Sequence, residues 1–428
     1  MTKINKLIKD NIKNILLIYL YIQPIIDVIT GISINKFNIN TTISSIIRLS
    51  FLLFCIYYIF ILSTNNKKEN IKKIIIIITY ILLFTITTLT YKGTNVIIYE
   101  IKNILNTFYL PIITITLINM FDEYHIKIDI KHIIRIYILY MLFIIIPNIT
   151  NTGFNTYSHS KLGNIGWFQS ANAISNILSL LFPLIIYYII KSKNKLNIIL
   201  LPIIIYIFVT IGTKVPLLSL LICISINLIY YFIKWTKEKQ IKKIMISITS
   251  FIIITLTAII LLPKTTFYKN IKIHKEYLGI NNYLEVFTDY KLIDHFIFSQ
   301  RLTFLNNTNK NYINSSLPEK LTGIGYIENY NKDNQSDKTI EIDYFDIFYR
   351  TGIIGTIIYI YCMFNIFKES IYKIKENNLI NTQYKTIILL ILLLSLFSGH
   401  ILITPQVCIY VALILTMIIK GGLYEKNN

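Results

Sequence analysis

About twelve long apolar runs dominate the chain, most of them near the ~20 residues needed to cross a bilayer as a helix. No other feature constrains the fold as much. Backbone polar groups in hydrocarbon must bond internally, so each run is expected to be an α-helix. The runs lie near 14–31, 43–63, 72–91, 96–120, 132–150, 168–190, 197–212, 215–233, 243–262, 344–367, 385–400 and 404–420. Run seven is short and contains Pro202, so ten or eleven spans stay open as alternatives. Only 15% of the 428 residues are charged and 54% are hydrophobic. A soluble protein carries about a quarter charged residues, so an ordinary globular enzyme and a disordered chain are both excluded.

A net charge of +20 would suggest nucleic acid in a soluble protein. In a membrane protein the sidedness of the charge matters more, and no nucleic-acid partner is expected. Lys67, Lys68, Lys72, Lys73, Lys191, Lys193, Lys195, Lys234, Lys237, Lys239, Lys242, Lys243, Lys368, Lys373, Lys375 and Lys385 fall in alternate short connections. The opposite set holds little beyond Lys36, Arg48, Lys92, Lys161 and Lys214. The positive-inside rule then makes the rich side cytoplasmic, with both termini inside. Lys3, Lys6 and Lys9 precede the first run without a small-residue cleavage site, which reads as an interfacial helix and an uncleaved first span.

The expected architecture is an all-α polytopic membrane protein of about 12 transmembrane helices with one large, partly helical extracytoplasmic loop. Residues 1–262 would hold spans one to nine, 263–343 the loop, and 344–428 the last three spans. The loop is about neutral, rich in Tyr and Asn, and helix-like in SQRLTFLNNTNKNYI. A connection of this length reads as a folded cap with a function. Its rings and amides would suit a sugar, although codon bias explains them equally well.

Cys55, Cys223, Cys362 and Cys408 lie in or beside apolar runs and read as buried and unpaired. Ionisable groups at membrane level are costly and become functional candidates. Gln23 and Asp27 share a helix face around Pro24, as a helix contact or as a site. Lys214 is nearly the only charge of the Gly212–Pro216 turn, poised for a lipid phosphate or for snorkelling. Arg301 stands out in a chain that prefers lysine. Its planar fork fits a phosphate, or an ion pair with Asp294 or Glu319. Asp343, Asp346 and Arg350 share a face at i, i+3 and i+7, with Glu341 just before them. Two close carboxylates suit a general base, whereas an Asp346–Arg350 pair would be structural. His159 and His400 could reach an outer site, and no histidine pair has metal spacing.

Four segments together resemble the O-antigen ligase/O-antigen polymerase superfamily, including polymerases of capsule, exopolysaccharide and teichuronic acid. GWFQSANAISNILSLLFPLII is similar to its Gly-x-Phe stretch, with Asn172 at the asparagine position. IGTKVPLLSLL resembles its Gly-Thr-Arg turn, with Lys214 in place of arginine. SQRLTFLNNTNKNYINSSLPEKLTGIGYIENY resembles the loop segment with a key arginine, here Arg301, ending in Gly323 and Gly325. EIDYFDIFYRTGIIGTIIY resembles the re-entry segment ending in Gly352 to Gly355. The similarity covers roughly residues 160–410.

That resemblance implies a metal-independent, cofactor-free glycosyltransferase of the bacterial cytoplasmic membrane. The donor would be a polyprenyl-diphosphate-linked glycan and the acceptor another glycan. Arg301, Lys214 and Lys161 would hold the diphosphate, and Asp343, Glu341 or Asp346 would take the acceptor proton. A flippase and a chain-length regulator are partners such an enzyme would work beside. Two departures count against a ligase: Glu341 stands where ligases have histidine, and Lys214 where they have arginine. The acidic stretch EIDYFDIFYRTG is similar to that of members from bacteria lacking lipopolysaccharide, which favours a repeat-unit polymerase. The alternatives are a ligase acting on a protein or wall polymer, a transporter, and a scaffold.

Overall fold

The structure, a computed structural model, describes residues 3–39, 43–157, 161–327, 339–421 and 423–424. The helices in chain order are α1 (Lys3–Asp10), α2 (Ile12–Phe37), α3 (Ile43–Tyr57, continued by a π-turn), α4 (Lys67–Lys92), α5 (Ile97–Glu123) and α6 (Ile130–Ile149). Next come α7 (Ala171–Lys191), α8 (Leu200–Ile211), α9 (Lys214–Lys237) and α10 (Ile241–Leu261). The long connection contributes α11 (Thr266–Tyr277), α12 (Tyr290–Ile293), α13 (Arg301–Asn314) and α14 (Leu317–Thr322). The chain ends with α15 (Asp343–Lys373), α16 (Leu379–Phe397) and α17 (Pro405–Lys420).

Among the described residues, nine helical stretches are long and apolar enough to cross a membrane: α2 to α7, α9, α15 and α16. Two shorter apolar stretches, Lys195–Ile211 and Pro405–Lys420, and the helix α10 occupy the remaining apolar runs of the sequence. Large side chains such as Ile98, Ile149 and Leu221 stand exposed around the bundle. So many bare aliphatic groups would be a liability in water and are ordinary against lipid.

α5 and α17 form the centre. In the most apolar window of Thr94–Glu123, 83% of residues are buried, against 17% in that of the peripheral Lys214–Lys237. α17 is buried from Val407 to Ile419. Its 16 residues span only about 24 Å at 1.5 Å per residue, less than a bilayer core. Non-helical backbone, residues 398–404, joins α16 to it. α2 continues through Pro24, and the four cysteines are buried and free.

Candidate active site at the long connection

The long connection folds back on the end of the bundle from which it leaves. Its helices have local causes. Asp294 accepts from Leu302 N, Thr303 N and Thr303 Oγ1 at the start of α13. Ser316 and Glu319 form a reciprocal capping box on α14. The chain then enters the bundle. The buried Glu100 carboxylate accepts the N–H groups of Tyr326 and Ile327, and Lys92 donates to the carbonyls of Ile324 and Ile327. Tyr80 Oη lies 2.7 Å from Thr322 O and 2.8 Å from Thr351 O, bridging α14 to α15.

Two glycines make that junction. Gly352 has φ 64° and ψ −172° and interrupts α15. A Cβ on Gly352 would collide with the backbone of Gly323, and one on Gly323 with the carbonyl of Arg350. Only residues without side chains allow these strands of backbone to touch.

Arg301 heads α13 and is 9% exposed. Its Nη1 donates to Phe397 O at 2.7 Å, and its Nη2 reaches Glu341 Oε2 at 2.8 Å and Ser398 O at 3.3 Å. Its Nε is buried with no hydrogen-bond partner among the described residues. The ion pair with Asp294 or Glu319 allowed by the sequence is replaced by one with Glu341, because both alternatives are engaged by backbone amides at helix starts. On the other side of Glu341, Oε1 lies 3.8 Å from His400 Nε2. Thr404 Oγ1 and His400 Nδ1 are 3.3 Å apart. Burial pushes the Glu341 carboxyl up, but the His400 and Arg301 cations outweigh it and hold it at about 2. Burial likewise disfavours the His400 imidazolium, and Glu341 reverses this and raises its pKa above the ordinary value. Glu341 and His400 keep about a quarter of their side-chain surface open, so this pair can meet a substrate.

Asp343 and Asp346 are placed differently from what a general base needs. Asp343, fully buried, accepts His400 N at 2.7 Å and the amides of Ile401 and Leu402 at 2.8 Å. It thereby satisfies the non-helical segment before α17. Asp346 accepts Ile340 N at 3.0 Å and Glu341 N at 2.9 Å. Arg350, fully buried, donates to Gly325 O at 2.9 Å. Asp346 and Asp343 thus hold the backbone that carries Glu341 and His400, and Arg350 on the same helix face holds Gly325.

The cations gather beside this centre. Lys214 Nζ donates to Phe296 O, and Arg301 Nη1 lies 3.5 Å from Phe298 O, so one π-turn (Asp294–Phe298) separates them. Lys214 is close enough to Lys161 and Arg301 to feel their charges. Burial lowers the pKa of His274 to about 4, helped by the cations Lys161 and Lys214 and by His295, and burial also lowers that of Lys161. Asn270 closes the floor, bonding Leu162 N, Leu162 O and Gly212 O.

Asn172 sits half-buried in the first turn of α7. Asn176, one turn later and fully buried, does the positioning: Nδ2 donates to Gly399 O at 2.9 Å and Oδ1 accepts from Ser398 Oγ at 3.2 Å. The sequence reading passed over Asn176, as it did Glu100, Tyr80 and Asn270. An isolated charge such as Glu100 in an apolar run was the one available signal. His159 lies outside the described residues. Gln23 and Asp27 form a helix contact: Arg48 donates to both, and Gln406 Nε2 donates to Asp27 at 2.8 Å.

No curated protein and no solved structure matches the chain. A family model described as O-antigen ligase like membrane protein matches residues 9–285 and 281–421. Multiple apolar helices and a match running through nearly the whole chain agree, and this multi-pass membrane protein belongs to the O-antigen ligase like family.

Proposed function

We propose that the protein is a glycosyltransferase that polymerises lipid-linked repeat units of a capsular, exo- or teichuronic-type polysaccharide. It would act on the outer face of the bacterial cytoplasmic membrane, with twelve spans, both termini cytoplasmic and the long connection outside. The observation that carries this reading is the Arg301–Glu341–His400 group, partly open and flanked by Lys214 and Lys161. Membership of a ligase-like family supports glycan transfer.

The donor is a glycan joined to a polyprenyl diphosphate. The acceptor hydroxyl oxygen forms a bond to the anomeric carbon as the carbon–phosphate-oxygen bond breaks, and polyprenyl diphosphate leaves. Lys214, Lys161 and Arg301 stabilise the charge growing on that leaving group. In the free protein Arg301 is held by Glu341. A bound diphosphate draws the guanidinium toward itself, and Glu341, relieved of one cation, becomes a stronger base. It takes the acceptor proton and becomes a neutral carboxylic acid, held in place by His400. Asp343 and Asp346 position this pair.

The test is purified protein with a polyprenyl-diphosphate-linked repeat unit, products resolved on a gel. A ladder that disappears in Arg301→Ala at wild-type protein level supports the reading. A ladder undiminished in that variant removes Arg301 from the chemistry. No ladder with the correct repeat unit, but transfer to an added protein or wall polymer, makes the protein a ligase.

A further inference from the structure

The basic residues ahead of the first span lie on α1, and the glycosyl-transfer chemistry uses none of them. α1 runs along the surface of the bundle: Ile8 packs against the core, whereas Leu7 is 62% exposed. Where α1 passes into α2, a pocket of about 590 Å³ opens between this junction and the segment that follows α5. Lys9 and Lys13 line one wall and Lys127 the other, and Asp10 is the acidic residue beside them. The second wall is fixed in place. Ile126 and Ile128 turn inward, 4% and 0% exposed, so Lys127 between them turns outward. Residues 128 and 129 then pair in parallel with residues 423 and 424, and Asp129 accepts Lys131 N at the start of α6. The pocket is remote from the active site. α5 carries Glu100, which holds the long connection, near its start and Tyr124 of the pocket just past its end. Those 24 residues put about 36 Å of helix between the two sites.

The protein itself does not neutralise these lysines. Lys13 is half-buried, yet neither its ammonium nor that of Lys127 has a hydrogen bond or ion pair among the described residues. Lys9 lies 3.9 Å from Glu123, but the hydroxyls of Tyr58 and Thr64 already hold that carboxylate at 2.8 Å. Asp10 is exposed and forms no ion pair among the described residues. Three cations against one carboxylate leave the pocket walls positive. The pocket lies where two membrane-crossing helices end, which is the level of the lipid headgroups. The anion present there is the lipid phosphate, and lysines at a membrane surface attract acidic lipids. A zwitterionic headgroup would bring a cation of its own against the three ammonium groups. Leu7, two residues before Lys9 and bare, offers contact to an acyl chain, which a free phosphate could not use. We infer that the pocket between α1 and the segment after α5 binds the phosphodiester of an acidic glycerophospholipid in the leaflet opposite the active site. The three ammonium groups hold the phosphate oxygens, and α1 lies over the first part of the chains. This lipid site is independent of the glycosyl transfer proposed above.

Native mass spectrometry of the full-length protein, titrated with phosphatidylglycerol, phosphatidylethanolamine or phosphatidylcholine, reads the affinity directly. Phosphatidylglycerol should bind about tenfold or more tightly than either zwitterionic lipid. The variant Lys9→Gln/Lys13→Gln/Lys127→Gln should lose that preference, about tenfold or more in affinity. The control Lys237→Gln/Lys242→Gln/Lys243→Gln removes exposed lysines at the same end of the bundle and should stay within about twofold. Equal affinity for the three lipids, undiminished binding in the pocket variant, or an equal loss in the control overturns the inference. Displacement of phosphatidylglycerol by inorganic phosphate also overturns it, because the pocket is then a site for a free anion. Melting in nanodiscs gives a second readout. Phosphatidylglycerol in place of phosphatidylcholine should raise the melting temperature of the wild type and not that of the pocket variant; the same rise in both overturns the assignment. Should the triple variant fail to fold, Lys127→Glu replaces an exposed side chain without a partner and leaves the packing intact. It should weaken phosphatidylglycerol binding by about threefold or more, and unchanged binding in it rejects the site.

Discussion

Asp343 is the sharpest case, because it is one of the candidate proton acceptors and its carboxylate is tied to backbone. Its carboxylate receives three backbone N–H groups at 2.7–2.8 Å, from residues 400 to 402, with no exposed surface. Asp343→Asn preserves shape but removes one acceptor. The amide carbonyl can keep Ile401 and Leu402, which leaves the amide NH2 facing the N–H of His400. One charge-assisted hydrogen bond is lost, at about 1.5–3 kcal/mol, and two become neutral, at roughly 0.5–1 kcal/mol each. A buried neutral amide costs less desolvation than a buried carboxylate, which offsets part of this loss, so the expected net cost is about 2 kcal/mol. Asp343→Ala orphans all three donors and should cost more, about 5 kcal/mol. Thermal unfolding in micelles should show both variants melting several degrees lower, in that order. Activity should fall with stability, since His400 is displaced, and the pH profile of what remains should keep its shape. An Asn variant that melts like wild type yet has no activity would refute this reasoning and restore Asp343 as the proton acceptor.

The Glu341–His400 pair should show in stability against pH. The raised His400 pKa contributes stability fully present below about pH 6.5 and lost as pH rises through the folded value. The lowered Glu341 pKa contributes above about pH 4.5 and is lost as pH falls toward 2. The melting difference between wild type and His400→Asn should therefore be largest near pH 4.5–6.5 and shrink on either side; a difference constant from pH 4 to 9 would contradict the pair. Gly352→Ala forces a Cβ into the backbone of Gly323, and full-length protein should fail to accumulate in the membrane on immunoblots. Arg48→Ala strips the buried Asp27 of its cation and should cost about 3–5 kcal/mol in micelle denaturation, with Arg48→Lys recovering part of it. Glu100→Ala should release residues 324–327, read as faster proteolytic cleavage of the connection there.

The helices could be read from the sequence because hydrocarbon leaves a backbone one local solution, and each apolar run states its own length. The expected run at 72–91 became α4 at Lys67–Lys92, and that at 344–367 became α15 at Asp343–Lys373. The helix-like stretch at Arg301 became α13. Arg301 and Lys214, exceptions to the composition of the chain, flank one turn of the connection.

Partners could not be read, since they depend on which chain segments approach. Arg301 meets Glu341 from 40 residues away, and Asp343 meets amides 57 to 59 residues later. Nothing local distinguishes the solvent-reaching Glu341 from Asp343 two positions on. The difference is that Glu341 stands outside α15 with φ 61°, while Asp343 begins the helix and points into the bundle. The sequence by itself determined a many-helix membrane protein, its folded connection and a short set of unusual polar residues, because these follow from local solvation. Only the tertiary structure decided which carboxylate stays partly open and which holds backbone, because a carboxylate's work is set by the donors that packing brings to it.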